Sequence, residues 1–485
     1  MTSFFIDQHG CSKNQTDAEL LIGYLTENGF VHTFDSTQAD FILINSCGFI
    51  ESAKKESIDA IYQIRNSYPN AKIILTGCLA ERYSQLMYDS IPELDGVFGN
   101  GDLSKIVEFM KSVQNGNRLV KTYPQEGVCS GNRPVVLNFP GSAYVKITEG
   151  CSNYCSFCAI PLIRGEVRSR PIVEIVEEIK SLLKNNIYEI NLIGQDLAAY
   201  GTGKNDNVLQ GLQVEVTNKT SYLAMLFSQI AKLEQEFNSF IVRPLYIHPD
   251  HFNLDILPVM KSSKCFVPYF DIPFQSGDDK IIKLMNRVGS AESYSNLVNQ
   301  IKSFFPEAAI RTTFLVGFPG ETDENFENTC DFVETIKPMW SGSFVYSREE
   351  NTPAYNFKKR ISSKIAEKRV EKLQENQQKI TENYLKDYVG KEISVIIEEV
   401  IQNNPEFSED VSEGLAIGRA WFQAPDVDGC VVVKYDSDDV VQEDSVKPGN
   451  VLRAKVLTSS GVDLDARLIK LERSLENKKW KQLLY

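Results

Sequence analysis

Cys151, Cys155 and Cys158 stand in a C-x3-C-x2-C spacing within Gly150-Cys151-Ser152-Asn153-Tyr154-Cys155-Ser156-Phe157-Cys158, with an aromatic residue just before the last thiol. Three thiolates this close can ligate three irons of a 4Fe–4S cube and leave the fourth iron without a protein ligand. An open metal position is what chemistry needs, as opposed to a closed structural site. Zinc would want a fourth Cys or His nearby, and the nearest downstream histidine is His248. The spacing favours an open iron–sulfur cluster over a zinc knuckle.

Cys11, Cys47 and Cys78 suggest a second cluster, and here the surrounding elements carry the argument. Residues 1–115 alternate strand-like and helix-like runs, the pattern of a parallel α/β sheet. Apolar runs at 4–7, 41–44 and 72–75 read as strands, with helical periodicity at 17–28 and 51–65. Each of the three cysteines falls just past one of those strands. In a parallel sheet such ends lie along one edge, where ligands bind, so thiols far apart in sequence converge in space. The neighbouring Gly10, Gly48 and Gly77 let the backbone approach a bulky group. His9, beside the Cys11 turn, reads as a structural or solvated histidine.

From residue 141 to 362 the alternation restarts. Strand candidates at 143–148, 189–193, 244–247, 265–272, 310–316 and 343–346 are separated by helical stretches at 172–184, 223–237, 278–285, 293–304 and 324–336. Six βα units are too few to close an eight-stranded barrel, so a partial (βα)6 barrel is expected, with its site at the C-terminal strand ends. Cys151, Cys155 and Cys158 follow the first strand, as that rule requires. Gln195, Asp196, Gln275, Gly317 and Gly320 end later strands, where amides and carboxylates can hydrogen-bond a ligand and glycines admit it closely. Arg164, Arg168 and Arg170, just past the triad, can offset a cluster's negative charge or hold a carboxylate; alternatively they only start the next helix.

Residues 116–140 read as a linker holding Cys129 as a free thiol, and 203–221 as a long polar loop. Cys265 and Cys330 sit in apolar patterns and read as packing residues. Residues 363–388 form a connecting helix with a stripe through Ala366, Val370, Leu373, Gln377, Ile380 and Tyr384. Five short β-runs between 389 and 472 suggest a small antiparallel, OB-like barrel, followed by a tail at 473–485. Between Gly390 and Lys470 there are 16 Asp plus Glu against 8 Lys plus Arg. Counterion release needs a basic face, so an acidic barrel suits a basic protein partner better than phosphate.

The whole chain has 485 residues, ten cysteines, 42% hydrophobic and 24% charged residues, and a net charge of −14. That charge argues against a dedicated nucleic-acid binder, and cysteines this sparse argue against a disulfide scaffold and for a reducing compartment. No signal-peptide pattern and no apolar run of membrane-spanning length is visible, so a cytoplasmic protein with no membrane association is expected.

The Cys151–Cys158 stretch resembles the radical S-adenosylmethionine (radical SAM) signature. Gly10-Cys11-Ser12-Lys13-Asn14, Asn45-Ser46-Cys47-Gly48-Phe49-Ile50-Glu51-Ser52-Ala53 and Thr76-Gly77-Cys78-Leu79-Ala80-Glu81-Arg82-Tyr83 resemble the N-terminal domain of the methylthiotransferases within that superfamily. The C-terminal barrel resembles the TRAM domain, commonly an RNA-binding module. The resemblance implies two 4Fe–4S clusters, one on Cys151, Cys155 and Cys158 that binds S-adenosylmethionine, and an auxiliary one on Cys11, Cys47 and Cys78. It implies that the loops carrying Gln195, Asp196, Gln275, Gly317 and Gly320 contact the cofactor. It also implies a small reducing electron-transfer protein, such as flavodoxin or ferredoxin, as a partner. The family divides between enzymes acting on tRNA adenosine and one acting on the β-carbon of an aspartate of ribosomal protein uS12. Ala159-Ile160-Pro161-Leu162-Ile163-Arg164-Gly165, Asp271-Ile272-Pro273 and Ala424-Pro425-Asp426-Val427-Asp428-Gly429 look like the latter. Gln275-Ser276-Gly277 leans towards the tRNA enzymes, and the acidic barrel decides for uS12. The tRNA enzyme is the alternative, and a non-enzymatic iron–sulfur or zinc RNA-binding protein a distant third.

Overall fold

The computed structural model describes residues 1–212, 220–401 and 413–475. The polar loop at 203–221 and the tail at 473–485 thus lie partly outside the described residues.

The N-terminal unit runs β1 (Ser3–Gln8), α1 (Ser12–Glu27), β2 (Val31–His32), β3 (Phe41–Ser46), α2 (Glu51–Ser67), β4 (Lys72–Gly77), α3 (Cys78–Arg82), α4 (Ser84–Ser90), β5 (Gly96–Phe98), α5 (Ile106–Gln114) and β6 (Leu119–Lys121). Its six strands are all parallel in the order β2-β1-β3-β4-β5-β6. Every residue of β3 is buried, as a central strand covered by helices on both faces requires. Register sets Gln8 opposite Asn45 and Asn45 opposite Thr76, so β1, β3 and β4 end level with one another. The stretch at 116–140 is not all linker, because β6 is the sheet's sixth strand. Three residues flanked by Asn, Gly and Arg carry no readable period. The remainder lies over α1, where a Cβ on Gly23 would sit 1.9 Å from the Asn132 carbonyl oxygen.

The central unit runs β7 (Ser142–Lys146), β8 (Thr148–Glu149), α6 (Ile160–Arg164), β9 (Arg168–Ser169), α7 (Ile172–Lys184), β10 (Glu189–Ile193), α8 (Tyr222–Ala231), β11 (Ile241–Pro244), α9 (Ile256–Ser262), β12 (Tyr269–Asp271), α10 (Asp279–Leu284), α11 (Ala291–Phe304), β13 (Ala309–Val316), α12 (Asp323–Ile336) and β14 (Trp340–Val345). β7, β10 and β11 pair in parallel, as do β12, β13 and β14. A parallel bridge from Val242 to Phe266 joins the two sets into one open, six-stranded partial barrel. Alternate residues such as Val145, Leu192, Val242 and Ile310 pack under the helices. Their neighbours Tyr144, Ile193, Leu245 and Tyr269 face a second core shared with the C-terminal unit.

α13 (Ser363–Lys386) crosses to the C-terminal barrel of β15 (Glu392–Ile401), β16 (Glu413–Arg419), β17 (Val431–Asp436), α14 (Val440–Ser445), β18 (Val451–Ser460) and β19 (Asp463–Arg473). The barrel closes in the order β15-β16-β17-β19-β18. Four pairings are antiparallel, and β17–β19, which completes the closure, is parallel. Its Ala420–Gly429 loop meets the end of the partial barrel at which β12 and β14 begin. There Trp340 donates to the Phe422 carbonyl (2.6 Å) and Tyr269 to Asp428 (2.6 Å). At this seam the fully buried Glu189 accepts from Arg243 (2.8 Å) and Arg419 (2.6 Å). Burial pushes the Glu189 carboxyl up, but the two guanidiniums overcome that and hold it well below the usual carboxylate range.

Candidate metal centres

Two groups of three thiols lie at strand ends, and all ten cysteines are free. Cys11 precedes α1, Cys47 follows β3 and Cys78 opens α3 directly after β4. Adjacent strands are about 4.8 Å apart, so three level strand ends span about 10 Å of backbone, and the side chains reach inward from them towards one another. Asn14, fully buried one turn into α1, binds the group together. Its Nδ2 donates to the Ser46 carbonyl (2.7 Å), and its Oδ1 faces Cys78 Sγ (3.3 Å) and Cys11 Sγ (3.8 Å). Two glycines are required by the approach itself. A Cβ on Gly48 would lie 2.7 Å from the backbone of Cys78, and Gly77, at φ +86°, would clash with the Ser46 carbonyl oxygen at 2.5 Å.

The second group sits in one loop after β8. Cys151 N donates to the Gly165 carbonyl (3.0 Å) and Cys158 N to the Cys155 carbonyl (3.0 Å), while Cys158 Sγ accepts from Ile160 N (3.5 Å). Tyr154 takes φ +47°, a left-handed turn that bends the loop between its first two thiols. Ser156 Oγ donates to the Leu284 carbonyl and anchors the loop to α10.

Burial pushes Cys78 and Cys151 up to about 12 and raises Cys158 and Cys47 as well. Thiols in such surroundings are poor free nucleophiles, but a metal deprotonates them outright, so the donor set suits ligation. Among the described residues no three His, Cys, Asp or Glu side chains close round a single metal ion. Thiolates on a cube bind different irons and stand farther apart than ligands of one zinc, which lie about 3.8 Å from each other at Zn–S distances of 2.3 Å. Three thiols at each site are the donor set that ligates three irons of a cube and leaves the fourth open.

The residues expected at the cofactor divide. Gln195 donates to Glu149 (3.1 Å), and its Oε1 is buried without a partner, as is the Thr148 hydroxyl on the neighbouring strand end. Orphaned polar atoms at the mouth of a partial barrel suit a polar ligand. Asp196 is already saturated: it accepts from Ala198 N, His248 N, Asn153 Nδ2 (2.8 Å) and His251 Nε2 (2.6 Å). It fixes the triad loop through Asn153. Gln275, at φ +70°, pairs by backbone with Thr313 and Leu315. A Cβ on Gly317 would lie 2.6 Å from Ala366 Cβ, so its bareness serves packing against α13. Gly320, at φ +93°, leaves only Leu284 Cδ1 near its missing Cβ.

The three arginines also part company. Arg168 holds the linker through the Gly127 carbonyl (2.6 Å), and Arg170 bonds the Lys146 carbonyl and Glu178. Arg164 leaves its own triad and reaches Cys78 Sγ at 3.2 Å. His9 is held by Asp7 (2.8 Å) and Glu56 (3.4 Å), as a structural histidine. Cys129, Cys265 and Cys330 pack in or against the apolar cores. Sequence reasoning did not place His248 Nε2 at 3.9 Å from Cys155 Sγ, nor Asn14 between two thiols. His248 lies 93 positions from its thiol, and nothing in the spacing signals the contact.

Residues 3–99 match Uncharacterized protein family UPF0004, 145–333 the Radical SAM superfamily, and 389–469 the TRAM domain. Among curated proteins, the ribosomal protein uS12 methylthiotransferase RimO of Treponema denticola is 50% identical over 476 residues, covering 95% of this chain and 99% of that protein. The RimO of Thermotoga maritima is 38% identical over 429 residues, 88% of this chain and 92% of that one. Among solved structures, the radical S-adenosylmethionine methyltransferase TsrM of Kitasatospora setae, with cobalamin and a [4Fe-4S] cluster bound, aligns at a TM-score of 0.52. At 12% identity over 73% of this chain and 74% of that one, it shares the fold. A thiol triad on a parallel sheet edge, a second in the loop after β8, a six-stranded partial barrel and 50% identity over 95% of the chain converge: the chain belongs to the RimO family of radical SAM methylthiotransferases, enzymes that use S-adenosylmethionine and iron–sulfur clusters.

Proposed function

We propose that this enzyme inserts a methylthio group at the β-carbon of an aspartate residue of ribosomal protein uS12, in the cytoplasm. Cys151, Cys155 and Cys158 hold the 4Fe–4S cluster that binds S-adenosylmethionine, and Cys11, Cys47 and Cys78 hold the auxiliary one. The observation that carries this reading is the pair of triads on facing edges of two domains, joined through Arg164. Bound there, the cofactors supply reductive chemistry able to break an unactivated C–H bond, and a sulfur to replace the hydrogen.

The chain's own residues bind and orient. Asp196 fixes the triad loop through Asn153, while Gln195 and the Thr148 hydroxyl offer unpaired polar atoms to S-adenosylmethionine, with Gln275, Gly317 and Gly320 at neighbouring strand ends. A small reducing protein of the flavodoxin or ferredoxin kind supplies the electron. The uS12 substrate is supported by the names of the relatives and by the acidic C-terminal barrel, whose balance favours a basic protein over phosphate. The TRAM match favours a second reading, a methylthiotransferase acting on a modified adenosine of tRNA.

Mass spectrometry separates the two. Deleting the gene is expected to remove the methylthio mass from uS12 and leave tRNA unchanged; loss from tRNA alone would overturn the uS12 reading.

A further inference from the structure

Arg164 ends α6, the five-residue helix that begins two positions after Cys158. It is buried, and its guanidinium is divided between two jobs. Nη1 meets Glu149 (2.7 Å) and Asp17 (3.0 Å); Nη2 meets Asn14 Oδ1 (2.8 Å) and Cys78 Sγ (3.2 Å). Lys146 bonds Asp17 and Glu149 from the other side. Two cations and two carboxylates thus balance in a site closed to water, and the guanidinium edge facing Cys78 is the group nearest the sulfur.

α6 touches both triads. Its first N–H donates to Cys158 Sγ (3.5 Å), and its last side chain donates to Cys78 Sγ. Glu149, which holds that side chain, lies two residues before Cys151 and also accepts from Gln195. The planar fork bonds sulfur, amide and carboxylates at once, which an ammonium cannot do with fixed geometry.

We propose that Arg164 is a positioning residue for the auxiliary cluster: it donates to the Cys78 thiolate, sets that cluster's reduction potential, and fixes its place relative to the radical SAM triad. The proposal rests on the assignment of Cys11, Cys47 and Cys78 as cluster ligands. A reduced cluster carries one more negative charge than an oxidised one, so a nearby cation and a hydrogen bond to sulfur raise the potential. Low local dielectric lets such charges act at full strength.

The sign of the effect is fixed by the charge balance. Arg164→Gln leaves Asp17 and Glu149 facing Lys146 alone, one net negative charge, and lowers the potential. Glu149→Gln leaves two cations facing Asp17 and raises it. Arg164→Lys keeps the charge without the fork and falls between Arg164→Gln and the parent.

The experiment uses the full chain carrying Cys151→Ala, Cys155→Ala and Cys158→Ala, reconstituted anaerobically with iron and sulfide, so that a single cluster remains. Its midpoint potential is followed by electron paramagnetic resonance with and without each substitution. Opposite shifts, downward for Arg164→Gln and upward for Glu149→Gln, are expected. Unchanged midpoints, or shifts of the same sign, overturn the proposal while leaving the cluster assignment standing. If the triple variant holds no iron and sulfide, the assignment of Cys11, Cys47 and Cys78 falls, and the proposal with it. Should Arg164→Gln fail to fold, the upward shift of Glu149→Gln decides alone.

Discussion

The two triads solve one problem by opposite means. Cys151, Cys155 and Cys158 occupy eight consecutive residues, and their geometry is set by one loop with a left-handed turn at Tyr154. Cys11, Cys47 and Cys78 come from three strands, and their geometry is set by the register of a sheet, two close-packed glycines and Asn14. A triad within one loop can bend to its ligand. A triad built from strand ends is preorganised by a core of Phe4, Leu43 and Ile74, and depends on it. That difference suits a division of labour in which one cluster exchanges a cofactor and the other is held in place to deliver a group.

The largest effects should separate the two roles outright. Cys151→Ala is expected to abolish S-adenosylmethionine cleavage and product together. Cys47→Ala is expected to spare cleavage and stop sulfur insertion. Each variant should keep roughly four irons per chain, against roughly eight in the parent. Cleavage is read as release of 5′-deoxyadenosine, and insertion as the mass change on uS12. If Cys47→Ala loses cleavage as well, the triads do not divide the work as proposed.

How much was legible follows the same contrast. The loop triad could be read from spacing alone, because its geometry is local. The strand-end triad could be read only by joining three repeats to the rule that parallel strands end on one edge. Arg164 stands six residues from Cys158 in sequence, but a short helix carries it across the domain seam to Cys78. Such a destination depends on how two units pack, which periodicity does not encode. Asp196 at its strand end has the residue type of a ligand contact, and it also accepts four internal hydrogen bonds that no spacing encodes. The helix α9 has no legible period because Pro258 interrupts its pattern, although proline is tolerated in a first turn. In the C-terminal barrel, five strands were legible, but the parallel closure of β17 on β19 was not.

A change far from both triads tests whether they depend on local structure. Glu189 lies between Arg243 and Arg419 at the seam with the C-terminal barrel. Glu189→Gln leaves the buried Arg243 guanidinium without its anion and Arg419 with Glu398 alone, and is expected to cost about 3–5 kcal/mol in chemical denaturation. Iron content of the folded fraction should stay at the parent value; loss of either cluster would mean the seam supports a triad. The carboxyl's folded-state value lies below its ordinary 4.5, so its stabilisation is fully present above that pH. It declines as pH falls below 4.5 towards the depressed value.

A smaller change should strike the assembled triad alone. Gly77 has φ +86° and ψ −159°, a region only glycine occupies readily. Gly77→Ala is expected to cost about 1–3 kcal/mol of backbone strain, before the contact with the Ser46 carbonyl is relieved. Iron on Cys11, Cys47 and Cys78 should become labile to chelation while the loop triad retains its own. Equal lability in both would remove the distinction between a preorganised and an adaptable site.

The smallest effect belongs to the loop. His251 is partly exposed and donates to Asp196, which keeps its bonds from Asn153, Ala198 and His248 without it. Burial pulls the imidazole down, but the hydrogen bond and charge of Asp196 more than offset this, and His251 ends above its ordinary 6.5. Its contribution is therefore fully present below pH 6.5 and is lost as pH rises through the raised folded value. His251→Ala should cost less than about 1 kcal/mol below that pH and nearly nothing well above it. Iron on Cys151, Cys155 and Cys158 should be unaffected at either pH. Cluster loss confined to low pH would instead show that a single strut, Asp196 with its charged partner, governs the loop as tightly as the sheet governs the strand-end triad.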